Sequence, residues 1–540
     1  MTDDENSFDT PHEINTAIRE GLKQTRALKI TDMAGMNSIA VGLNEVGKIT
    51  VEGTAGDYFG AFNGAANLRL IGDAGNYAGD NMSGGLIRIE GNTGYGTGSY
   101  LKDGTLNVAG NTGPATGQGM YGGVIAIKGS TASITGLGMK DGIILVDGKC
   151  GDETGHIMTG GVIYARGFKS LGRNAIELPL SKMDKSRLIE YLDVDELDID
   201  KFMKVVAEND ELPEGEEYPV IIHDNPRDYL KNLKLTPSFP VYNMDELGRR
   251  QEVDLTLKVG KGLGVLKMKT PFLVYDVGST SPTVLKGASE MRIPIISQRS
   301  VHQNKDADED EDEPAIRHIV RIPADRKDIS IDILAKAKGM ELVLGNGSTL
   351  CLGGELISQN PERPLDINTK NDMKNFLELL REISRGTHPI FVTVSGENIY
   401  DMVFDLSAGK PDAIILKSSI PAAAITSASE ALEDSGNRDS TRLFILGEFT
   451  DGEEIVKLLS LGAEGIALVI PSKGALVETD KEAFTIHRIV EGLRVLVAYA
   501  GHGSISDLSK EDIRASDYST AAVTGTKLMG YDQKLPIWRQ

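Results

Sequence analysis

Glycine recurs every 19 residues through the first third of this chain, at Gly53, Gly72, Gly91, Gly110, Gly129, Gly148 and Gly167. A second row keeps the step, at Gly60, Gly79, Gly98, Gly117, Gly136 and Gly155. Two apolar columns share it. One runs Ile49, Leu68, Ile87, Leu106, Ile125, Ile144, Ile163, and the other Val51, Leu70, Ile89, Val108, Ile127, Val146, Ala165. A fixed period of this length marks a repeat architecture and overrides any domain-by-domain reading of the segment.

Each unit reads as a short strand with period-two alternation, then glycine, then a polar glycine-rich corner; Leu86-Ile87-Arg88-Ile89-Glu90-Gly91 is one example. A single unit cannot bury its apolar face. Stacked at about 4.8 Å per layer, equivalent side chains sit one above another and form a continuous interior. Glycine supplies positive-φ corners without a Cβ penalty. The expectation is a right-handed parallel β-solenoid of seven 19-residue turns over residues 41–170. A collagen-like chain is excluded, because no three-residue period exists.

At 540 residues the chain has room for further domains. Residues 1–40 hold an amphipathic segment, Ile14 to Arg26, read as a helical lead-in. Residues 171–264 read as a helical connector and linker, with helical apolar spacing between Asp184 and Glu208 and breaks at Pro213 and Pro219. From residue 265 to 540 strands and helices alternate. The strand candidates are Phe272–Val277, Ile293–Gln298, His318–Ile322, Met340–Leu344, Ile390–Val394, Ala413–Leu416, Leu443–Leu446 and Gly465–Ile470. Helices are expected between several of them, one carrying Met373, Phe376, Leu377, Leu380 and Ile383 on one face and one from Glu453 to Ser460. Eight such strands point to a (β/α)8 TIM-like barrel, with an open doubly wound sheet as the alternative. The fold class is thus β plus α/β.

Composition narrows the function. Lys and Arg number 57 against 79 Asp and Glu, a net charge of −22, which disfavours nucleic acid and anionic membranes. No apolar run approaches the roughly 18–20 residues of a membrane span. The acidic, polar N-terminus is no secretory signal, and a cytoplasmic location is expected. Cys150 and Cys351 are too few for a disulfide framework or a cysteine-ligated iron–sulfur cluster. The eight histidines show no metal-ligand spacing, so no metal site is expected, and His318, His388 and His487 are assigned structural roles. Gly260-Lys261-Gly262-Leu263-Gly264 has a phosphate-loop look but lacks the G-K-[ST] ending and a preceding strand. Asp276 and Ser279 follow a strand and suit helix capping. Cys351 reads as a small packed residue, His502 as a turn residue, and the acidic run Asp306 to Glu313 as a solvated loop.

Taken together, the halves resemble one enzyme family. The repeat is similar to the GXGXG domain of the glutamate synthase large subunit, a β-helix that also occurs within formylmethanofuran dehydrogenase. The second half resembles the FMN-binding barrel of glutamate synthase, although the usual enzyme has its barrel before the β-helix. No amidotransferase domain with a leading cysteine nucleophile is present. The family segment I-E-I-K-x-x-Q-G-A-K-P-G-x-G-G corresponds to Met340 through Gly354, with Gly347, Gly353 and Gly354 kept, Asn346 replacing the glutamine, and Val343 and Thr349 replacing both lysines. V-K-L-V-x-E corresponds to Val392 through Glu397, again without its lysine. The G-H-D-G-G-T-G-A loop has become Lys417 through Ala424. The phosphate segment D-G-G-L-x-T-G reads Leu446 through Gly452, with Glu448 inside it, and F-G-F-G-T reads Ile466 through Ile470. Leu461-Gly462-Ala463-Glu464 matches the family's L-G-A-E, and the stretch from Glu491 to Leu508 matches its closing pattern.

The resemblance implies catalytic candidates at Asn346, Glu397 and Lys417, and cofactor contacts at Ser279, Gly347, Gly353, Gly354 and Gly447. A carboxylate at Glu448 opposes a phosphate by about 1 kcal/mol per charge pair in water and by ~4 at an effective dielectric of 20. The leading expectation is therefore a degenerate, non-catalytic barrel without cofactor, serving as a scaffold or regulatory subunit that forms a homo-oligomer or docks other subunits. The alternative is a working FMN-dependent oxidoreductase or transferase of nitrogen metabolism. A third reading gives the function to the β-helix alone, as in formylmethanofuran dehydrogenase complexes. Placing a charge in the interior column tests the repeat: Ile125→Asp is expected to abolish cooperative folding of residues 41–170, read as loss of the far-UV circular dichroism transition on heating.

Overall fold

The computed structural model describes residues 10–192, 198–208, 229–236, 253–276, 282–297, 318–322, 329–344, 369–395, 398–449, 451–470 and 480–531, apart from the side chains of 32, 282, 283, 285, 286 and 480–485. The chain divides into two compact units. One comprises Met1–Tyr218, Asp325–Asp332 and Glu378–Arg385; the other comprises Pro219–Ala324, Ile333–Leu377 and Gly386–Gln540.

The first unit opens on α1 (Pro11–Gln24). Its start is set by Thr10, whose hydroxyl accepts from the Glu13 N–H while Glu13 reaches back to the Thr10 N–H, with proline in the first turn. Then come β1 (Ala27–Met36), β2 (Lys48–Ala55), β3 (Asn67–Ile71), β4 (Ser83–Ile89), β5 (Asp103–Val108), β6 (Tyr121–Ile127), β7 (Asp141–Val146) and β8 (Val162–Ala165). These strands pair in chain order in one sheet, every neighbour parallel. Ile49, Leu68, Ile87, Leu106, Ile125, Ile144 and Ile163 are successive Cα partners, and all are buried.

Stacking continues away from the strands. The N–H groups of Gly79, Gly98, Gly117 and Gly136 donate to the carbonyls of Phe59, Ala78, Thr97 and Thr116. Side-chain ladders reinforce this. The Asp73 carboxylate accepts from the Asn92 N–H, Asn92 from Asn111, and Asn111 from Ser130, at 2.6, 2.9 and 2.8 Å. Inside, Thr112 pairs with Thr116 and Thr131 with Thr135, each at 2.7 Å.

The two glycine rows have different causes. The second row takes positive φ, as expected; Gly98 lies at +68°, and a Cβ there would stand 2.5 Å from Ile125 Cδ1. In the first row, from Gly91 onward, φ is not positive. Gly129 is glycine because a Cβ would meet the Gly110 carbonyl oxygen at 2.4 Å, so close stacking of backbones sets that row.

Both edges of the repeat differ from expectation. The lead-in is not wholly helical: β1 joins the sheet with Leu28 opposite Ile49 and register shifts after Ile30 and Ala34. At the other end α2 (Lys182–Leu192) forms, but the second half of the expected helix does not. After β9 (Ala175–Leu178), residues Met203–Ala207 form β10, antiparallel to both β8 and β9. The open edge of β8 needs backbone partners, and Val205 closes the interior, so tertiary pairing overrides the helical spacing.

Helix α2 lies on the outer face, with Leu188 and Leu192 among Val124, Ala126, Leu145 and Tyr164. It is fastened by Asp184. The Tyr164 hydroxyl donates to Asp184 at 2.5 Å, the Ser181 N–H at 2.7 Å and Lys204 Nζ at 3.1 Å. Burial opposes ionisation of this carboxyl, but the three donors outweigh it and hold it below the usual carboxylate range. Burial first, then the Asp184 charge, pushes the Tyr164 hydroxyl up to about 12.

The second unit begins with β11 (Leu233–Leu235) and the antiparallel hairpin β12 (Leu257–Val259) and β13 (Leu266–Met268). The Gly260–Gly264 run does follow a strand, contrary to the sequence reading: it is the turn joining β12 to β13, with Gly260 at φ +95° and Gly262 at +60°. Then come β14 (Phe272–Tyr275), β15 (Ile295–Ser297), β16 (His318–Ile322), β17 (Gly339–Leu344), β18 (Ile390–Ser395), β19 (Ala413–Lys417), β20 (Arg442–Gly447) and β21 (Gly465–Leu468). They form a closed eight-stranded barrel in chain order, all neighbours parallel, with β21 returning to β14. All eight expected strands are present, and the open-sheet alternative is excluded. Helices Lys370–Ile383 and Gly452–Leu461 also stand where the apolar spacing puts them.

Val259, Leu266 and Met268 of the hairpin pack with Ile319, Phe391 and Phe444, near the starts of their strands. The hairpin thereby fills the N-terminal end of the barrel. A small sheet of β11, β22 (Ile513–Ala515) and β23 (Lys527–Leu528) completes the unit.

Because the folded-state carboxyl of Asp184 lies below its unfolded value, its contribution is complete above the unfolded value, about pH 4, and is lost as pH falls toward the folded one. Acid unfolding of the wild type is expected to show this loss between about pH 4 and pH 2, and Asp184→Asn to abolish it while costing about 1–3 kcal/mol at pH 7, measured by urea unfolding at each pH.

Candidate functional site

Alternate residues of a barrel strand face the lumen, so a charged side chain at an inward position must find its partners on other strands. Arg321 on β16 and Glu341 on β17 are Cα partners at inward positions. Arg321 Nε donates to Glu341 Oε2 at 2.7 Å, and the Glu341 side chain is wholly buried. Thr393 on β18 donates its hydroxyl to Glu341 Oε1 at 2.5 Å. The Tyr275 hydroxyl, at the end of β14, stands near enough for the Glu341 charge to act on it. Glu341 thus receives donors from two other strands, β16 and β18.

Arg321 is held on every side but one. Its Nη1 donates to the Asp276 carbonyl at 3.3 Å, and its guanidinium lies 4.3 Å from the centre of the Tyr275 ring. Nη2 is buried and has no hydrogen-bond partner among the described residues. Burial disfavours the charged guanidinium, but the Glu341 carboxylate outweighs it and raises Arg321 above its ordinary value. Burial, then the same carboxylate, pushes the Tyr275 hydroxyl far up, so it stays a neutral donor.

Of the residues proposed from the family motifs, Ser279, Asn346, Gly347, Gly353, Gly354 and Glu397 lie outside the described residues, as does Cys351. Lys417 is exposed as the last residue of β19, opposite Ser395 and Leu446. Gly447 ends β20, and a Cβ there would meet the Phe449 ring at 2.7 Å. Both sit at the C-terminal ends of barrel strands, the face where barrel enzymes place chemistry.

After β20 the chain turns into helix Gly452–Leu461. Asp451 caps it by accepting from the Glu453 N–H at 3.0 Å, and Glu453 and Glu454 fill the first turn. Asp451 takes up one of that end's N–H groups, and the acidic first turn sets negative charge against an anion there. Val469 turns into the barrel interior, and its N–H donates to the Gly447 carbonyl.

The histidines hold structure rather than chemistry. His388 Nε2 lies 2.6 Å from the Ala337 carbonyl, and His502 Nε2 lies 2.8 Å from Asp512. His487 is exposed on its helix. His318 Nδ1 lies 3.4 Å from Ser297 Oγ, and burial lowers its pKa while Asp276 opposes that shift. These three residues alternate with the inward Ile319, Ile296 and Tyr275, so the trio stands outside the lumen.

Arg321, Glu341, Thr393 and Tyr275 were absent from the motif-derived candidates. The signal was there: Arg321 and Glu341 are single charges inside otherwise apolar strands, at lumen-facing parity.

No protein-family model and no curated protein matches the sequence. Solved structures match the fold. An Arg-to-Lys mutant of flavocytochrome b2 aligns at TM-score 0.40 with 18% identity, covering 54% of this chain and 77% of its own. The recombinant flavin-binding domain of baker's yeast flavocytochrome b2 aligns at 0.37 and 16%, with the same 54% and 77%. A soluble mutant of the membrane-associated (S)-mandelate dehydrogenase from Pseudomonas putida aligns at 0.37 and 16%, covering 53% and 88%. The expectation of a barrel that takes no cofactor is corrected by these matches, one of which is by description a flavin-binding domain. The resemblance to glutamate synthase rests on its motifs alone. Among the described residues no helix is long and apolar enough to cross a membrane.

A flavin is a flat ring system with electron-rich oxygens and nitrogens along one edge, tuned by donors and charge beside them. The rim cation Lys417 suits that edge. Its phosphate would require donors other than the first turn of helix Gly452–Leu461, which Asp451 already caps.

Removing Glu341 would leave Arg321 as a buried, uncompensated charge. Glu341→Ala is expected to cost about 3–5 kcal/mol, whereas Glu341→Gln combined with Arg321→Gln should cost far less, compared by urea unfolding.

Proposed function

We propose that the chain is a glutamate-synthase-like FMN-dependent oxidoreductase or transferase of nitrogen metabolism, acting in the cytoplasm. Its second unit would be the flavin barrel. Its repeat would be a right-handed β-solenoid whose stacked flank docks a second copy or another subunit.

One observation carries the enzymatic reading: a buried guanidinium with a free N–H2 inside a closed parallel barrel. A structural ion pair would be satisfied on both partners; here only Glu341 is. The motif frame supports the family assignment. Leu461 ends a helix, Gly462 takes φ 120° as its C-cap, Ala463 is buried, and Glu464 accepts from the Leu443 N–H at 2.7 Å while pairing with Arg438 at 2.6 Å.

A bound flavin would supply the electron-accepting and hydride-transferring chemistry. Lys417 and the backbone at Gly447 would hold it at the rim, and Tyr275 would remain a neutral donor beside Glu341. The purified protein, or its apo form titrated with FMN, should show a flavin band near ~450 nm. Lys417→Met should weaken FMN about tenfold, a loss of ~1.4 kcal/mol. A protein that stays colourless at millimolar FMN would end the proposal.

A further inference from the structure

The ion pair inside the barrel is asymmetric in what it leaves unused. Glu341 is consumed: Arg321 bonds to one of its carboxylate oxygens and Thr393 to the other. Arg321 is fixed by Glu341, by the Asp276 carbonyl and by the Tyr275 ring, and it keeps Nη2 unpartnered in a buried setting. A buried donor of a charged group without an acceptor is costly, so the fold carries this N–H2 at a penalty unless something accepts from it. The guanidinium is planar, permanently charged and immobilised, so binding there would lose little side-chain entropy.

The acceptor's chemistry follows from the surroundings. A cationic N–H2 pairs best with an anionic oxygen. The same interior holds Ile415, Leu446, Ala467 and the inward-turned Val469, all apolar, which favours a ligand with one charged end and a compact uncharged body. Glu341 already offsets the guanidinium charge. With one added carboxylate the cluster carries −1, and with a phosphate dianion −2, so the lone carboxylate is favoured over a phosphate.

We propose that Arg321 is the substrate-anchoring residue of the barrel, binding through Nη2 the carboxylate of a small monocarboxylic acid, with Glu341 as its positioning residue. This deepens the flavin reading and rests on it for the reaction, though not for binding.

Calorimetric titration of the full chain tests it. Acetate, pyruvate and 2-oxohexanoate are each compared with the corresponding neutral amide and with inorganic phosphate, and FMN uptake is followed separately by absorbance. At least one acid is expected to bind saturably, its amide and phosphate at least tenfold more weakly. Arg321→Lys should fold normally and lose at least tenfold in acid affinity. The double variant Arg321→Gln with Glu341→Gln, which strands no buried charge, should fold and lose acid binding altogether, and both variants should take up FMN as the wild type does. Failure of all the acids to bind, equal binding of phosphate, or undiminished acid affinity in the folded double variant would overturn the proposal. Loss of FMN with acid binding intact would also overturn it, assigning Nη2 to the flavin. Acid binding that depends on Arg321 in a protein that takes up no FMN would sustain this site while the flavin reading fell.

Discussion

A carboxylate sealed inside a β-barrel has no backbone to turn to, because the strand ladders have already used it. Glu341 meets that constraint with side chains alone, drawing Arg321 and Thr393 from the two flanking strands. Each ion costs several kcal/mol to desolvate, and only multiple good bonds offset such a term. Glu341 has them. The guanidinium does not have its full set, and that imbalance separates this pair from an ordinary buried salt bridge. A barrel under selection for stability alone would do as well with an apolar pair of similar volume.

The repeat meets a different constraint, and it explains why so much of the first unit was legible. When every strand of the sheet performs the same packing task, every strand repeats the same residue, so the columns from Ile49 to Ile163 announce their shared interior directly. The ends of the stack do not repeat, because they face something other than another turn. Leu28 of β1 stands 21 residues before its partner Ile49 rather than 19, so the period misses it. Val205 suits a helix face and a strand equally; the unpaired edge of β8 decides between them, and no local pattern contains that edge. The side-chain ladder through Asp73, Asn92, Asn111 and Ser130 was visible as a column of small polar residues, but its purpose appears only when each oxygen is seen to accept from the next layer's N–H.

In the barrel the eight strands were legible because parallel strands buried on both faces read as short apolar runs. Lumen chemistry was less so. Motif comparison directed attention to loops and to lysines that are missing, and six of those candidate positions fall outside the described residues. The cluster at Arg321 is assembled from strands far apart in sequence, so spacing does not link its members. The correct question was one of parity: which charged residues occupy positions that the strand alternation turns inward.

The same distinction shows what the family resemblance carries. Glu464 immediately precedes β21, on the N-terminal side of the barrel, where it accepts from the Leu443 N–H and gathers Arg438 and Arg442. Gly462 ends the preceding helix there with a backbone angle that side-chain-bearing residues rarely adopt. Motif features on that side of a (β/α)8 barrel govern folding, whereas those on the opposite side govern chemistry. Leu461-Gly462-Ala463-Glu464 is therefore evidence about architecture, and by itself says nothing about a reaction. The chemistry has to be argued from residues that fold stability does not require, and the unengaged N–H2 of Arg321 is such a group: deleting Nη2 would break no hydrogen bond among the described residues, so stability does not account for it.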